Sequence, residues 1–468
     1  MGRKKKQPII LSDVAITEIA AEGKALTRVD DQVVFVPMAI PGDIVDILVT
    51  KKRSHYLLGR VVSLKKPSPL RVEPLCEHFG VCGGCKWQHL PYSEQLKWKQ
   101  KQVVDTLERI GGITLEKINP ILGSEQTFYY RNKLEYTFSN NRWLPDEIIK
   151  QGIFIVEPGA GFHIEGMFDR VLDIRTCHLQ PEPTNQLRLA LKKFLLDEGI
   201  PFYNLHRKQG LLRNLVVRNS LDGKVMAVLV FGEADEILMK KTLNYVADNF
   251  PDLHSIMYGI NTKLNDSIHD LDFKCWKGEP YLYESIGDLR YRIGPKSFFQ
   301  TNSRQAFHLY ETVKRMAQIA PHEVVYDLYT GTGTIALYVA RQAKRVIGIE
   351  YVEDAIADAV ENARLNLISN VEFYAGDVKD IMTHEFIASK GYPDVLIADP
   401  PRVGMHDSVI ETILQAAPQR IVYVSCNPAT QARDIKALAS HYRVAEIQPV
   451  DMFPHTHHVE NVACLVRK

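Results

Sequence analysis

Short apolar runs rich in β-branched residues recur through the first 66 residues of the chain. Residues 33–36, 44–49 and 57–62 each have the composition of a β-strand. Pro41-Gly42-Asp43 separates the first two runs and is typical of a turn. Several short strands in so short a segment predict an OB-like barrel at residues 1–66, and such barrels bind nucleic acid along a strand face.

A mixed pattern follows this barrel. Residues 67–74 begin and end with proline and predict a linker, and residues 94–110 predict a helix that ends at Gly111-Gly112. Further strand-like runs occur at 215–217 and 225–230, and helical ones at 184–198 and 235–249. We therefore expect an α+β middle domain at residues 67–290.

Strands and helices alternate regularly from about residue 305 onward. The strand-like runs cover residues 324–327, 346–350, 371–374, 395–399 and 421–424. Helical segments lie between most of them, and this alternation predicts a parallel, doubly wound sheet. We place a Rossmann-like domain at residues 291–468 and assign the whole chain to the α/β class.

The composition of the 468 residues is that of an ordinary globular protein, with 45% hydrophobic and 24% charged residues. No apolar stretch approaches the roughly 20 residues that a membrane span needs. The chain starts with a basic run that no apolar segment follows, so we expect no secretory signal. We expect a monomer in the cytoplasm without membrane association.

Positive charge is concentrated near the start of the chain, although the net charge is only +1. Residues 1–75 hold 13 Lys and Arg against 8 Asp and Glu, including the runs 3–6, 51–53 and 65–66. Such an excess favours contact with phosphate groups. A solvated tail with exposed lysines is the alternative interpretation.

A glycine-containing turn between a strand and a helix is the candidate cofactor site. Gly331 and Gly333 let the backbone approach a ligand, and Glu350 ends the next strand, where it could accept ribose hydroxyls. Ala336 replaces the third glycine of the dinucleotide fingerprint, which favours S-adenosylmethionine. Asp377, after the third strand, could meet the adenine or simply cap a helix. A tight turn without a ligand is the structural alternative.

Candidate chemistry follows the last two predicted parallel strands. Asp399-Pro400-Pro401-Arg402 resembles a methyltransferase substrate clamp, and its Arg402 argues against amine methylation. Cys426 ends the fifth strand and could add to carbon 6 of uracil, which makes carbon 5 nucleophilic. Glu460 is the candidate base that then removes the carbon 5 proton. A buried structural cysteine and a surface ion pair are the respective alternatives.

Three cysteines are clustered as Cys76, Cys82 and Cys85, and Cys177 is the natural fourth partner. Four thiolates can hold an iron–sulphur cluster or a zinc ion. Disulfides are not expected in a cytoplasmic protein. Three unrelated thiols are the remaining alternative.

Together, these motifs resemble the RNA 5-methyluridine methyltransferase family of the RumA/TrmA type over nearly the whole chain. The resemblance implies a TRAM-type barrel, S-adenosylmethionine as the methyl donor, and one [4Fe–4S] cluster on the four cysteines. It also implies site residues: cofactor-lining Gln300, Tyr329, Glu350 and Asp399; nucleophile Cys426; base Glu460; and, near the RNA, Arg131, Asn132 and Lys133.

The resemblance implies an RNA partner but leaves its identity open. Relatives with a barrel and a cluster mostly act on 23S ribosomal RNA, which we therefore favour, while others act on the tRNA T-loop. A non-catalytic RNA-binding protein on the same fold is the alternative from another functional class. Intact Asp399, Cys426 and Glu460 argue against it.

Overall fold

The structure, a computed structural model, describes residues 8–151, 157–164 and 166–468. The basic run Arg3 to Lys6 therefore lies outside the described residues. No helix within the described ranges combines the length and apolar character needed to cross a bilayer.

The N-terminal unit is a six-stranded sheet with the order β1-β5-β6-β4-β3-β2. Its strands are β1 (Ile10–Ala15), β2 (Glu18–Ile19), β3 (Ala25–Val29), β4 (Gln32–Val36), β5 (Ile44–Lys52) and β6 (Tyr56–Lys66). Alternate residues such as Val34, Val36, Val45 and Ile47 are fully buried in its core. This period-2 burial confirms the predicted OB-like strands.

The middle unit is a mixed seven-stranded sheet with the order β13-β12-β11-β10-β7-β8-β9. Its strands are β7 (Lys133–Ser139), β8 (Gly159–Ile164), β9 (Met167–Asp173), β10 (Leu212–Asn219), β11 (Val225–Phe231), β12 (Ser255–Ile260) and β13 (Lys274–Gly278). The helices before and within it are α1 (Tyr92–Arg109), α2 (Asp146–Lys150), α3 (Thr184–Asp197) and α4 (Glu236–Asn249). Every residue of β11 is buried, as expected of a central strand that is covered on both faces.

The C-terminal unit is a seven-stranded sheet with the order β18-β17-β16-β19-β20-β22-β21, preceded by the hairpin β14–β15. The strands are β14 (Leu282–Ile286), β15 (Leu289–Ile293), β16 (Val324–Leu328), β17 (Arg345–Glu350), β18 (Val371–Ala375), β19 (Val395–Ala398), β20 (Arg420–Ser425), β21 (Tyr442–Val450) and β22 (Glu460–Arg467). The helices are α5 (Ser303–Ala317), α6 (Thr334–Ala340), α7 (Glu353–Leu365), α8 (Val378–Ile381), α9 (His384–Lys390), α10 (Asp407–Ala416) and α11 (Pro428–Leu438).

Strands β16 to β20 are mutually parallel, which confirms the predicted Rossmann-like pattern. The sequence analysis did not predict β21 and β22, which add to the sheet in antiparallel orientation. Alternate residues of β16 face different cores: Val325 packs in one cluster and Tyr326 in the other. The sheet is therefore covered on both faces.

Helix α1 lies in the segment 67–290 but packs on the C-terminal sheet. Its Val103 and Leu107 are fully buried in the core cluster that also contains Tyr326 and Ile447. This packing brings the segment that follows the cysteine cluster against the loop between β21 and β22.

Candidate active site

The register of the C-terminal sheet brings the predicted nucleophile and base together. Ser425 on β20 pairs with Asn461 on β22 in an antiparallel ladder. Advancing this register by one residue places Cys426 opposite Glu460, at the edge where the parallel strands end. Ligands bind at this edge in doubly wound sheets.

Burial and neighbouring carboxylates set the protonation of the two groups. Burial, with smaller contributions from the charges of Glu460 and Asp399, raises the pKa of Cys426 to about 11, while Arg402 opposes these effects. Burial, followed by the charge of Asp399, raises the pKa of Glu460 to about 8, again against Arg402. Arg402 is thus the cation that favours the thiolate and the carboxylate.

Arg402 is held by its backbone and has an exposed side chain. Its carbonyl accepts hydrogen bonds from Nδ2 of Asn427 at 3.0 Å and from Oγ1 of Thr430 at 3.2 Å. Its Nη2 lies 3.4 Å from Nδ1 of His458, a ring that burial keeps neutral by lowering its pKa to about 3. The Arg402 side chain is therefore exposed beside His458, and its charge acts on both Cys426 and Glu460.

The glycine turn after β16 has the geometry of a ligand loop. Gly331 and Gly333 have φ angles of +57° and +78°, which disfavour side chains. A Cβ at Gly331 would meet nothing within 4 Å, whereas one at Gly333 would press on Phe373 at 2.9 Å. The Gly331 amide donates to Glu350 at 3.1 Å, so the predicted ribose carboxylate is oriented toward the turn.

Other predicted cofactor residues have mixed surroundings. Tyr329 adopts a φ of +63°, and burial followed by nearby Asp377 raises its pKa to about 12. Asp377 itself caps α8, accepting from the amide of Lys379 at 3.2 Å. The capping alternative is thus realised, although the residue still lies near Tyr329.

Asp327 is a further buried carboxylate at this edge of the sheet that was not singled out from the sequence. It is 1% exposed at the end of β16 and accepts a hydrogen bond from Oγ1 of Thr330. Burial raises its pKa to about 7, and burial followed by the charge of Asp327 does the same for Asp399. A carboxylate ending an apolar strand immediately before the glycine turn was the available signal.

The motif containing Arg131, Asn132 and Lys133 adjoins the segment that carries Gln300. Asn132 is buried, and its amide donates at 2.8 Å to the carbonyl of Gln300 and to Oγ of Ser303. Its side chain is thus engaged with the protein. Arg131 lies 5.5 Å from the ring centre of Phe453, while burial lowers the pKa of Lys133.

A polar cavity of about 290 Å³ opens beside this motif. Its walls include Tyr129, Asn132, Ser303 and the exposed Arg304. The cavity extends the surface near the predicted RNA contacts.

The four clustered thiols lie close enough to influence one another electrostatically. Burial raises the pKa of Cys85 to about 12, with Cys177, Cys82 and Cys76 adding to the effect. Among the described residues, no three His, Cys, Asp or Glu side chains converge closely enough for a single metal ion.

Two family models match the chain. The model described as tRNA (Uracil-5-)-methyltransferase matches residues 282–468, and the TRAM domain model matches residues 12–62. The matches fall on the C-terminal sheet with its preceding hairpin and on the N-terminal barrel.

Full-length relatives are RNA methyltransferases by description. An "uncharacterized RNA methyltransferase" of Porphyromonas gingivalis is 54% identical and covers 97% of this chain and 99% of the relative. One of Chlorobaculum tepidum is 39% identical over 99% of this chain and 98% of that protein. The similarity thus includes the cysteine segment and the middle sheet.

A solved structure has the same overall architecture. The tRNA (uracil-54, C5)-methyltransferase of Pyrococcus abyssi, in complex with S-adenosyl-L-homocysteine, is 30% identical with a TM-score of 0.74. The match covers 97% of this chain and 100% of that one.

Proposed function

Because the chain belongs to the RNA (uracil-5-)methyltransferase family, an S-adenosylmethionine-dependent group of enzymes, we propose that it methylates uridine carbon 5 through a covalent adduct with Cys426. The observation that carries this proposal is the strand register, which ends with Ser425 opposite Asn461 and, extended by one residue, sets Cys426 opposite Glu460. Asp399 and Arg402 act electrostatically on both groups.

The chemistry needs two proton movements that these residues can supply. The Cys426 thiol gives its proton to solvent and the thiolate sulphur adds to carbon 6, which moves electron density to carbon 5. Carbon 5 takes the methyl group from the sulphonium of the donor. Glu460 then accepts the carbon 5 proton, the ring double bond returns, and the Cys426 sulphur leaves.

Electrostatic balance supports this order of events. Without ligand, Glu460 has a pKa of about 8 and is largely protonated at neutral pH. A sulphonium beside the buried carboxylates favours their ionised forms. Binding of the methyl donor would therefore prepare Glu460 to act as a base.

For the methyl donor we propose the pocket between the glycine turn and the strand ends. Gly331 and Gly333 allow close approach, Glu350 accepts ribose hydroxyls, and Tyr329 and Asp377 flank the adenine end. Gln300 and Asp399 would contact the donor from the opposite side. The open space above Gly331 supports this placement.

Cys76, Cys82, Cys85 and Cys177 offer four thiolates, which are the donors that a [4Fe–4S] cluster takes. The resemblance of these four positions to the family's cluster ligands favours the cluster over zinc. Backbone amides donate to the sulphurs of Cys76, Cys82 and Cys177, and Gln88 donates to Cys85. Amide donors of this kind stabilise thiolate sulphur, and the cluster would supply structure to this segment.

Anaerobic purification tests this assignment. The protein should be brown and contain about four irons per chain. One zinc per chain with negligible iron would contradict the cluster.

The proposed substrate is an unpaired uridine in a structured loop of 23S ribosomal RNA. The reaction requires the face of carbon 6, so the base must leave its stack. Arg131, Lys133 and Arg402 are the proposed RNA contacts, with Asn132 positioning the Gln300 segment. The N-terminal barrel adds phosphate contacts, and its deletion should reduce the salt dependence of RNA binding.

The tRNA T-loop is the second candidate. It is favoured by the P. abyssi structure, which is a tRNA (uracil-54, C5)-methyltransferase. Mapping of 5-methyluridine by mass spectrometry in a deletion strain separates the two candidates. Loss from tRNA with full retention in 23S RNA would replace the ribosomal substrate by tRNA.

The covalent step is tested with RNA containing 5-fluorouridine, from which no carbon 5 proton can be removed. We expect wild-type protein and methyl donor to give an adduct that survives denaturing electrophoresis. Cys426→Ala should give no adduct. The control is Cys275→Ala, which removes an exposed thiol on β13 and should behave like wild type. An undiminished adduct with Cys426→Ala would overturn the assignment of the nucleophile.

A further inference from the structure

We propose that a buried ion pair between Lys99 on α1 and Asp451 positions the loop that leads to the catalytic base. This role rests on the function proposed above for Glu460. The loop runs from Asp451, directly after β21, to Val459, directly before Glu460. Its conformation is thus fixed from outside the C-terminal sheet by a helix far away in sequence.

The ion pair is completely enclosed. The side chains of Lys99 and Asp451 have no exposed surface, and Nζ lies 2.6 Å from Oδ1. Nζ also donates to the carbonyl of Phe453 at 3.0 Å, within the loop itself. One ammonium group therefore binds both the start of the loop and its third residue.

Two neighbours of Lys99 on the same face of α1 extend this attachment. The hydroxyl of Tyr92 donates to Oδ2 of Asp451 at 2.9 Å, and the amide of Phe453 donates to Oδ1 at 3.0 Å. The amide of His455 donates to Oε1 of Gln95 at 2.9 Å. Residues 92, 95 and 99 are spaced by one helical turn, so one face of α1 holds the loop.

The cysteine segment supports the same loop from its other side. The amides of Lys86 and Trp87, which follow Cys85 directly, donate to the carbonyl of His455 at 2.8 and 3.1 Å. The loop is therefore braced between α1 and the segment that would hold the cluster.

The braced loop carries the groups that border the substrate pocket. The Phe453 ring lies 5.5 Å from the guanidinium of Arg131, and Nδ1 of His458 lies 3.4 Å from Nη2 of Arg402. The loop leads directly into Glu460. A shift of the loop would move the base, whereas the backbones of Arg131 and Arg402 are held by hydrogen bonds outside the loop.

Stability alone does not explain this ion pair. Desolvation of two charges offsets most of their attraction, and apolar pairs in such positions are often equally stable. The specific result of the Lys99–Asp451 pair is a defined backbone path, because its hydrogen bonds end on the loop. This distinction can be measured.

The test uses full-length protein carrying Lys99→Met together with Asp451→Asn, which leaves no uncompensated charge. We expect normal adduct formation on 5-fluorouridine RNA and unchanged donor affinity. Release of methylated product from ordinary uridine RNA should slow on the order of a hundredfold, because misplacement of about 1 Å has such effects. The methylated adduct should then accumulate and be visible on denaturing gels.

A matched control is the pair Arg420 and Glu323, at the opposite edge of the same sheet. Nη2 of Arg420 lies 2.6 Å from each carboxylate oxygen of Glu323. Arg420→Met with Glu323→Gln should change the melting temperature but not product release. Tyr92→Phe is the milder variant, for use if the first double variant does not fold, and it should slow release about tenfold.

Three outcomes decide the matter. Accumulated adduct with slow release supports positioning by Lys99 and Asp451. Wild-type release in the folded double variant, or in Tyr92→Phe when only that variant folds, overturns it. Absence of any adduct with wild-type protein on 5-fluorouridine RNA would instead overturn the proposed covalent function.

Discussion

The middle sheet and the carboxyl edge of the C-terminal sheet both bury charged side chains, but they surround them differently. Arg213 on β10 is 1% exposed and donates to Asp266 and to the carbonyls of Asn261, Lys263 and Asn265, at 2.6 to 3.0 Å. Glu460 is 5% exposed and Asp399 is half-buried, and burial and like charge dominate the raised pKa values of both.

This difference separates structural charge from charge kept for a ligand. A buried ion whose hydrogen bonds are all made within the protein fixes the local backbone and needs no contact with solvent. A buried carboxylate that lacks them destabilises the protein and has a shifted pKa, which is typical of functional sites. The edge of the C-terminal sheet therefore lacks positive charge to balance its carboxylates, and a cationic methyl donor would supply that charge.

The largest expected effect comes from removing the structural charge in the middle sheet. Arg213→Met should lower the free energy of unfolding by about 3 kcal/mol, because three carbonyls lose their donor, while Asp266 is partly exposed and can be solvated. Methyl transfer by the protein that remains folded should change little. Thermal denaturation and single-turnover assays at low temperature measure the two quantities.

The contrary result would be equally clear. A normal melting temperature together with a large loss of methyl transfer would show that Arg213 contributes to activity and not to stability. Lys224→Met is the control, because Lys224 forms an exposed ion pair with Asp222 in the turn between β10 and β11, and it should change stability by less than about 1 kcal/mol.

Next in size is the effect of Glu460→Gln on turnover. Loss of a positioned base costs on the order of a hundredfold in rate, so product release should slow and adduct should accumulate on ordinary uridine RNA. Rapid-quench gels with labelled RNA follow both species. Glu446→Gln, on the adjacent strand and paired with Arg315, should have normal turnover.

Unchanged release by Glu460→Gln would transfer the base role to another group. Above about pH 8, Glu460→Gln should also form the covalent adduct at a higher initial rate than wild-type protein. The Glu460 carboxylate is ionised there and raises the pKa of Cys426, so its removal favours the thiolate.

The strand pattern was predictable because local sequence determines it. The runs ending near Asp327, Asp399 and Cys426 are continuous and apolar, as buried parallel strands require. The carboxyl ends of such strands meet at one edge of the sheet. The polar residues that end or follow each apolar run could therefore be chosen as candidate reacting groups. Strand β21 lacked this signal because Arg443, Glu446 and Gln448 interrupt its apolar residues. Strand β22 does contain a short apolar run at 462–466, which was not recognised from the sequence.

The loop contacts were not predictable, for a different physical reason. Lys99 and Asp451 are 352 positions apart, and neither lies in a motif. Only the packing of α1 on the C-terminal sheet brings them together. Asn132 illustrates the same limit: its motif indicated RNA, while its burial shows an amide engaged with Gln300 and Ser303.

A smaller effect, on stability, should come from Asp399→Asn. Its folded pKa of about 7 lies above the ordinary value of 3.8, so the folded state holds a proton that the unfolded chain loses first. Wild-type stability therefore falls as pH rises from about 4 to 7. The variant escapes this loss and should be more stable at pH 8, by on the order of 1 kcal/mol, but not at pH 4.

Melting temperatures across this pH range provide the measurement, and methyl transfer should be lost at every pH. Asp394→Asn, just before the same strand, is the control. Its carboxylate already accepts from the amide of Val324 at 2.9 Å, so its removal should bring no gain at pH 8. An equal gain in both variants would mean that general charge reduction, and not the site, is responsible.

The smallest signal is the release of protons when the methyl donor binds. Asp327 and Asp399, with pKa values of about 7, are partly protonated at pH 7, and a sulphonium beside them lowers both values. Calorimetry in buffers of different ionisation enthalpy should show release of a fraction of one proton to about one proton at pH 7, and almost none at pH 9. S-adenosylhomocysteine has a neutral sulphur and should release fewer protons. Equal proton release with both ligands would show that the sulphonium charge does not change the pKa values of the carboxylates. The carboxylates would then be assigned to contact with the uracil.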